Sequence, residues 1–408
     1  MMNTNIKWIA AIVGAGIVAA LLIVWFVLLG GPASPADTAV VPSFGTSDTR
    51  TSVTNNQQQT PNNQIQIPQT NTNQKIFKIT DGPVAGTTLL VTTRPTSTVA
   101  RFVLAANGHS MDIQLDTPGA VSKAISNTTI PGIIGALWSE GGRGALLQYL
   151  DSGALKTVHL ALPAPAATSS SPVRAQFLPV GATNVAVSPD GANVAYLIKT
   201  SAGADGYTAK ADGTGSKKLF SLPFSQLLLS WPSEGTLLAG NAPANGVPGA
   251  VFSIQTKTGN ITPLLYAPGV TATADRLFSK VVYQTADNSR NTYVRDVKTG
   301  LSKPLSFDPL PEQCVWSNTS PALLYCAAPL EAVPSNYLDL WHTGEAAAAD
   351  GILSFDLGAG RSQIVAMPGG EDGGEPSDIA ELALSPDDHY LLFIRKGDRS
   401  LWAVRLSN

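Results

Sequence analysis

A repeated unit of short apolar strands and tight turns runs from Lys75 to the end of the sequence. In its most complete copy, at 185–220, a first strand leads through Ser-Pro-Asp-Gly into a second strand, a Gly-rich turn and two further strands. A copy at 382–406 begins the same way, with Ser-Pro-Asp-Asp as its turn, and stops after a third strand. Short apolar runs bounded by turn residues are typical of β-strands, and no long amphipathic helix pattern interrupts them. The region is therefore predicted to be all-β.

The spacing of the repeats predicts how many units there are. The first strands of the units are expected to begin near seven positions, 42–52 residues apart except for a last gap of 65 residues: Val84, Gly132, Asn184, Gln226, Val270, Gln313 and Asp378. This spacing fits one four-stranded blade of a β-propeller. We therefore predict about seven blades, with a two-sheet sandwich as the structural alternative.

The turn pattern also resembles a known family. Ser-Pro-Asp-Gly between two strands, followed by an Asp-Gly or Thr-Gly turn before the outer strand, is similar to the WD-repeat-like propeller repeats of TolB-type proteins. The resemblance covers most of residues 75–408. It implies a propeller and, by analogy, a place in a cell-envelope complex, but propeller blades serve many roles and do not define a function by themselves.

The incomplete last copy predicts how the ring closes. Its missing fourth strand can be supplied by the segment Lys75–Ile79, which alternates as an outer strand does. Closure of this kind pairs strand edges that would otherwise be exposed.

The first 30 residues contain a predicted membrane anchor. The run from Ile9 to Leu29 carries no charge and is long enough, as a helix, to cross a hydrocarbon layer of about 30 Å. Lys7 precedes it and the first downstream charge is Asp37, so the N-terminus is expected in the cytoplasm and the rest outside the membrane. A cleaved signal peptide is the alternative. The run is longer than its usual apolar core, and Ala33-Ser34-Pro35-Ala36 is a poor cleavage site.

Between the anchor and the repeats, residues 31–74 are rich in Thr, Asn, Gln, Pro and Ser. A segment with so few apolar groups does not bury enough surface to offset the entropy of ordering. The domain prediction is therefore an anchor at 1–30, a disordered linker at 31–74 and a propeller at 75–408, held outside the cytoplasmic membrane.

Composition and motifs argue against several kinds of site. The net charge is only -3 and no Lys/Arg cluster is present, so nucleic-acid binding is not expected. The four histidines form no metal-ligand pair, and neither a Gly-x-Ser-x-Gly elbow nor a phosphate-binding glycine loop occurs. The carboxylates of the Ser-Pro-Asp turns fit a structural role in the turn. No catalytic residue, metal or cofactor is predicted, and the chain is expected to be a monomer.

Cys314 and Cys326 are the two cysteines of the sequence. They flank a predicted hairpin centred near Ser320, so the two can face each other across adjacent strands. Because an exported domain permits disulfides, we favour a disulfide over two buried free thiols.

The candidate binding residues lie in two long connections of the sixth and seventh units. Pro329–Asp350 is an insertion between the second and third strands of blade 6, and Gly369–Asp378 connects blade 6 to blade 7. In propeller topology both emerge on the same face, and aromatic side chains on loops are typical of binding surfaces. In the alternative interpretation the aromatic residues only hold the insertion to the ring. The candidates are Tyr337, Asp339, Trp341, His342, Glu345, Glu371, Asp372 and Glu375.

The sequence therefore favours a module that binds a protein or an envelope polymer. Two alternatives remain open, a structural component of an envelope complex and a hydrolase or lyase that uses carboxylates of the same face. A convergent pair of acids with raised pKa in a deep central pocket would favour the enzyme. A flat face rimmed by aromatic residues would favour binding or a structural role.

Overall fold

Seven four-stranded antiparallel sheets form the described part of the chain. The computed structural model describes residues 74–93, 96–126, 128–164, 174–287 and 289–406, all of which belong to one compact unit, Gln64–Asn408. Each sheet is a blade in which the strands follow one another from first to fourth, except that blade 7 takes its fourth strand from the start of the described chain.

The strand bounds follow the chain order. Blade 1 to blade 3 contain β2 (Val84–Thr93), β3 (Thr96–Leu104), β4 (Ser110–Gln114), β5 (Lys123–Ala124), β6 (Ile133–Ser139), β7 (Gly144–Asp151), β8 (Ala154–Ala161), β9 (Ala175–Phe177), β10 (Ala182–Val187), β11 (Asn193–Thr200), β12 (Gly203–Lys210) and β13 (Lys217–Leu222). Blade 4 and blade 5 contain β14 (Leu227–Ser233), β15 (Thr236–Asn241), β16 (Pro248–Gln255), β17 (Ile261–Pro268), β18 (Thr271–Ala274), β19 (Lys280–Asp287), β20 (Ser289–Asp296) and β21 (Ser302–Pro304). Blade 6 and blade 7 contain β22 (Cys314–Trp316), β23 (Leu323–Pro329), β24 (Asp350–Asp356), β25 (Arg361–Ala366), β26 (Ile379–Leu384), β27 (Tyr390–Arg395), β28 (Leu401–Arg405) and β1 (Ile76–Lys78).

The blades form a closed ring. The first strands of neighbouring blades contact one another around the circle, with the 3₁₀ turn Pro311–Gln313 completing the contact between β18 and blade 6. A separate apolar cluster lies between each pair of neighbouring blades. The alternating apolar residues of each strand thus face the next blade, and the core is divided into seven interfaces. This confirms the seven-bladed propeller and excludes the two-sheet sandwich.

The predicted closure is also confirmed. β1 pairs antiparallel with β28, with Ile76 opposite Val404 and Phe77 opposite Ala403. Both β1 residues are buried, and together they contribute to the clusters on the two sides of blade 7. The free edge of β1 is covered by the connection before β26, where the Ile76 backbone N–H donates to the Asp372 carbonyl at 3.2 Å.

The predicted strand starts agree closely with the structure. The observed first strands begin within two residues of the predicted positions in all seven blades. Three helical elements were not predicted: the 3₁₀ turns Glu140–Gly142 and Pro311–Gln313, and the helix α1 (Tyr337–Thr343) inside the blade 6 insertion. Helix α1 ends at Gly344 with φ +78°. Seven residues span only two helical turns, too few for a helical period to be read from the sequence.

The Ser-Pro-Asp turns join first and second strands. In the first copy, the Ser188 hydroxyl accepts the Asn193 backbone N–H at 2.9 Å, and the Asp190 carboxylate accepts that of Ala192 at 2.9 Å. In the second copy Asp388 stands where the first has glycine and takes a φ of +59°. Its carboxylate accepts the Asn318 backbone N–H at 2.9 Å and so links blade 7 to blade 6. The structural role predicted for these turns is therefore correct.

The two cysteines form the favoured disulfide. Cys314 in β22 and Cys326 in β23 lie directly opposite each other, with their Cα atoms 4.1 Å apart. The bond ties the first strand of blade 6 to the second.

None of the helices in the described ranges is both long and apolar enough to span a bilayer. The predicted anchor at 1–30 and most of the predicted linker, 31–73, lie outside the described residues.

Candidate binding face

One face of the ring carries both connections that contain the candidate residues. In a meandering sheet, the connections from second to third strand and from fourth strand to the next blade lie on the same side. We call this side the insertion face; around blades 4 to 7 it includes 242–247, 269–270, 305–313, 330–349, 367–378 and 396–400. The insertion at 330–349 is the longest of the connections between second and third strands in the described part of the chain.

Apolar side chains hold α1 against the ring. Tyr337, Leu338 and Trp341 are buried and pack in one cluster with Ala286 of blade 5 and Leu310 of the connection to blade 6. The side chains recur at positions i, i+1 and i+4 of the helix, so one side of α1 faces the propeller. Tyr337 and Trp341 therefore contact the interior of the protein, as the alternative interpretation of the insertion expects.

Polar contacts hold the same insertion at two further points. The Trp341 indole N–H donates to the Asp378 carboxylate at 2.8 Å, in the connection that enters blade 7. The Lys396 ammonium lies 3.8 Å from the centre of the Trp341 ring and also donates to the Trp341 carbonyl. On the other side, the Asp339 carboxylate accepts the backbone N–H of Asn245 in blade 4 at 2.8 Å. The insertion thus spans the face from blade 4 to blade 7.

His342 extends this line of contacts toward the centre of the ring. Its Nε2 lies 3.0 Å from Oε1 of Glu312, which belongs to the 3₁₀ turn before β22. The other oxygen of Glu312 accepts the Thr271 hydroxyl of β18 at 3.2 Å. Glu312 was not among the predicted candidates because it precedes a different strand, 30 residues from His342 in the sequence.

The acids of the second connection have mixed roles. Asp372 accepts the Met367 backbone N–H at 3.0 Å and lies 3.3 Å from the Lys75 ammonium. Glu375 forms an ion pair with Arg395 of β27. Both side chains therefore stabilise the connection and the strand pair of blade 7.

Glu345 and Glu371 are exposed. The structure thus brings all eight predicted candidates to the insertion face. Four of them, His342, Glu345, Glu371 and Glu375, are exposed, and two of these four also contact the ring, His342 through Glu312 and Glu375 through Arg395.

A buried polar cluster lies beneath the insertion and was not predicted. The Asp350 carboxylate, at the start of β24, accepts the Ile379 backbone N–H at 2.9 Å, and the Gln313 amide donates to the Ile379 carbonyl at 2.5 Å. Asp350 Oδ1, Gln313 Oε1 and the Tyr337 hydroxyl have no hydrogen-bond partner among the described residues. The Arg290 guanidinium lies 5.0 Å from the Tyr337 ring centre.

Burial controls the protonation of this cluster. Loss of solvation raises the pKa of Asp350 to about 8, and the nearby negative charge of Asp378 adds to the effect. Burial also raises the pKa of Asp378, although its hydrogen bond from Trp341 opposes the shift. Such a pair would favour an enzyme if it opened into a deep pocket. Asp350 is only 3% exposed, under the insertion, so this arrangement supports a structural role for its carboxyl group.

A cavity of about 270 Å³ opens between blade 4 and blade 5, next to Glu312. We call it the blade-4/5 cavity. Its apolar wall is formed by Leu228, Leu229, Leu238, Val251, Val270 and Ala272, and its polar wall by Ser230, Asn241, Thr271, Thr273 and Glu312. Within the described ranges, no group of three or more His, Cys, Asp or Glu side chains is arranged to hold a metal ion.

Comparison with known proteins supports the fold and leaves the ligand open. No protein-family model matches the sequence, and no curated protein matches it. Among solved structures, a chain of the mitotic checkpoint complex is 10% identical, with coverage of 84% of this chain and 98% of that chain and a TM-score of 0.52. The Cps50 (Swd1) β-propeller domain of Myceliophteria thermophila is 12% identical, with coverage of 81% and 100% and a TM-score of 0.51. The fold is that of a β-propeller.

TolB from Acinetobacter baumannii is a more distant match. It is 11% identical over 70% of this chain, with a TM-score of 0.42, and the match spans 65% of the TolB chain. At identities this low, similarity of structure establishes the fold alone.

Proposed function

We propose that this protein is a membrane-anchored propeller outside the cytoplasmic membrane that binds a protein or an envelope polymer through its insertion face. The observation that carries the proposal is the blade 6 insertion, which is held from blade 4 to blade 7 by Asp339, Trp341 and His342. A loop held at several points presents its exposed side chains in fixed positions, and fixed positions lower the entropy lost on binding.

The character of the exposed groups indicates the kind of partner. Glu331, Glu345 and Glu371 are exposed acids on the insertion face, whereas Arg395 and Lys396 of the same face are already engaged with other side chains. A partner with basic groups would therefore be attracted to this side of the ring. The mitotic checkpoint complex, one of the structural matches, is by its name an assembly of proteins, which agrees with a protein partner here.

The location rests on the sequence of the first 74 residues. An uncharged run from Ile9 to Leu29, preceded by Lys7, supports an anchor with the propeller outside. The test of this part is fractionation of cells followed by protease treatment of intact spheroplasts. Full-length protein should be in the membrane fraction and its propeller should be digested or released; a soluble, protected protein would contradict the anchor.

The binding function is tested by charge reversal on each face. Tagged full-length protein, Glu345→Arg/Glu371→Arg and the control Glu234→Arg are crosslinked to envelope material and compared by quantitative mass spectrometry. Glu234 is exposed in the turn between β14 and β15, on the face opposite the insertion. We expect the wild type and the control to capture the same species in similar amounts. The double variant should capture at least about fivefold less of those species, because two charges at the rim change sign.

Two results would contradict this function. Equal capture by the double variant would show that the insertion face is not the contact surface. Capture no greater than that of an unrelated tagged membrane protein would argue against a binding module altogether.

A further inference from the structure

The blade-4/5 cavity is accessible and mostly apolar. Leu238, Val251 and Val270 form its buried wall, and Leu228, at the start of β14, is 46% exposed. Apolar surface at the mouth of a cavity gains free energy when an apolar group covers it. The volume of about 270 Å³ is just below the usual range for ligand sites, so the cavity fits one side chain or a ligand of similar size.

The same cavity has a single charge. Glu312 is the ionisable side chain among its lining residues, because Cys314 is held in the disulfide. Thr271 and Leu228 begin their strands on the insertion face, and Glu312 lies in the connection at that face, so the carboxylate is at the rim. His342 and Thr271 each use one oxygen of Glu312, and a carboxylate can accept further hydrogen bonds on each oxygen.

We propose that the blade-4/5 cavity binds a short branched alkyl group that carries a positive charge. In a protein partner this is an apolar side chain next to a lysine, an arginine or a free amino terminus. The apolar group enters between β14 and β18, and the cation meets Glu312 at the rim. This inference rests on the proposed function and deepens it by naming what the insertion face recognises. It also links the candidate His342 to the cavity, because His342 contacts Glu312 at the rim.

The test uses small probes because the partner is unidentified. Isopentylamine and isopentanol share the alkyl group and differ in charge at neutral pH. Binding of each to the purified full-length protein is measured by saturation-transfer difference NMR. The amine should bind in the millimolar range, and about fivefold more tightly than the alcohol, the factor that a partly exposed ion pair provides.

Three variants locate the site. Ser230→Trp fills the cavity from an exposed position of β14 and should abolish binding of both probes, whereas Ser302→Trp, at an exposed position of the outer strand β21, should leave binding unchanged. Glu312→Gln keeps the size of the side chain and should remove the preference for the amine while alcohol binding persists. If the melting curve shows that the Ser230 variant does not fold, the probe preference of the Glu312→Gln variant still tests the proposal.

The proposal is overturned if the amine and the alcohol bind equally, if neither binds, or if Glu312→Gln leaves the preference intact. Envelope capture separates this outcome from the proposed function. If charge reversal on the insertion face lowers capture but Ser230→Trp does not, the proposed role of the cavity is wrong and the proposed binding function stands. Probe binding without any capture contradicts the binding function and leaves the cavity assignment standing.

Discussion

Asp350 shows, at the scale of a residue, how burial and protonation act together. Its carboxyl group is enclosed by the insertion, by Gln313 and by the start of β26, and one of its oxygens has no partner among the described residues. Charged groups that face it are Asp378 and Arg290, and Lys396 lies beyond Asp378. Because burial penalises the ionised form, the folded protein holds the proton of Asp350 up to about pH 8.

The expected consequence is a change of stability with pH. The pKa of Asp350 rises from 3.8 in the unfolded chain to about 8 in the folded protein. Its contribution to stability is therefore complete below about pH 4 and is lost as the pH rises through about 8. Asp350→Asn is neutral at every pH, so its free energy of unfolding should exceed that of the wild type above pH 8 and approach it only near pH 4.

Urea denaturation at several pH values measures this difference. Glu345→Gln, on the exposed side of the same insertion, is the matched control and should follow the wild type. All other titratable groups are the same in wild type and variant, so their effects cancel in the difference between the two free energies of unfolding. An Asp350→Asn protein that is less stable than the wild type at high pH would show that the carboxylate is ionised and stabilising.

Arg101 is a second residue that sequence reasoning did not single out. It is 0% exposed in β3, forms two hydrogen bonds of 2.7 Å to Asp112 and donates to the carbonyls of Gly142 and Pro163 in blade 2. Asp112→Ala leaves this charge buried and unpaired, which is expected to cost about 3–5 kcal/mol in the free energy of unfolding. Asp205→Ala, which breaks a surface ion pair with Lys218, should cost much less. Equal losses in denaturant titrations would contradict the structural role of Arg101.

At the scale of elements, β1 decides whether blade 7 is complete. Phe77 in this outer strand is 3% exposed, whereas Phe177 in the outer strand β9 of blade 2 is 57% exposed. Phe77→Ala should therefore lower the free energy of unfolding by about 3–5 kcal/mol, because it removes a buried ring. Phe177→Ala is the control and should change it by less than about 0.5 kcal/mol. A small effect of Phe77→Ala would mean that β1 contributes little to closure.

The strands were predictable because their signal is local. An apolar run followed by Ser-Pro-Asp and a second apolar run fixes two strands and the turn between them, so the strand starts Ala182 and Ile379 fall beside the predicted positions. The closing strand was predictable because the last repeat lacks its fourth strand. Helix α1 was missed, because two turns carry too little pattern and its position depends on packing against Ala286 and Leu310.

At the scale of the whole molecule, the candidate face combines residues that are far apart in the sequence. Glu312 and Gln313 precede β22, Arg290 lies at the start of β20 in blade 5, and Asp350 begins β24. Their types are common in any connection, and only the ring brings them beneath one insertion. The sequence therefore indicates which connections form the face, but not which of their side chains are buried and which remain available to a partner.

The division of the core into seven interfaces distributes stability around the ring. Each blade packs against two neighbours through separate apolar clusters. In blade 7, strand β1 contributes side chains to both of these clusters. A substitution inside one interface therefore affects two blades directly and the other blades only through the neighbours of those two.

The pairing of β1 with β28 also determines how the molecule responds to mechanical force. The Arg405 backbone N–H donates to the Lys75 carbonyl at 2.9 Å, so the chain enters and leaves the ring at the same end of this strand pair. Tension applied between these two points loads the backbone bonds of the pair one after another, the weakest way to pull two strands apart. Traction on the segment ahead of Gln74 would then detach β1 first and open blade 7, while the other six blades retained their four strands.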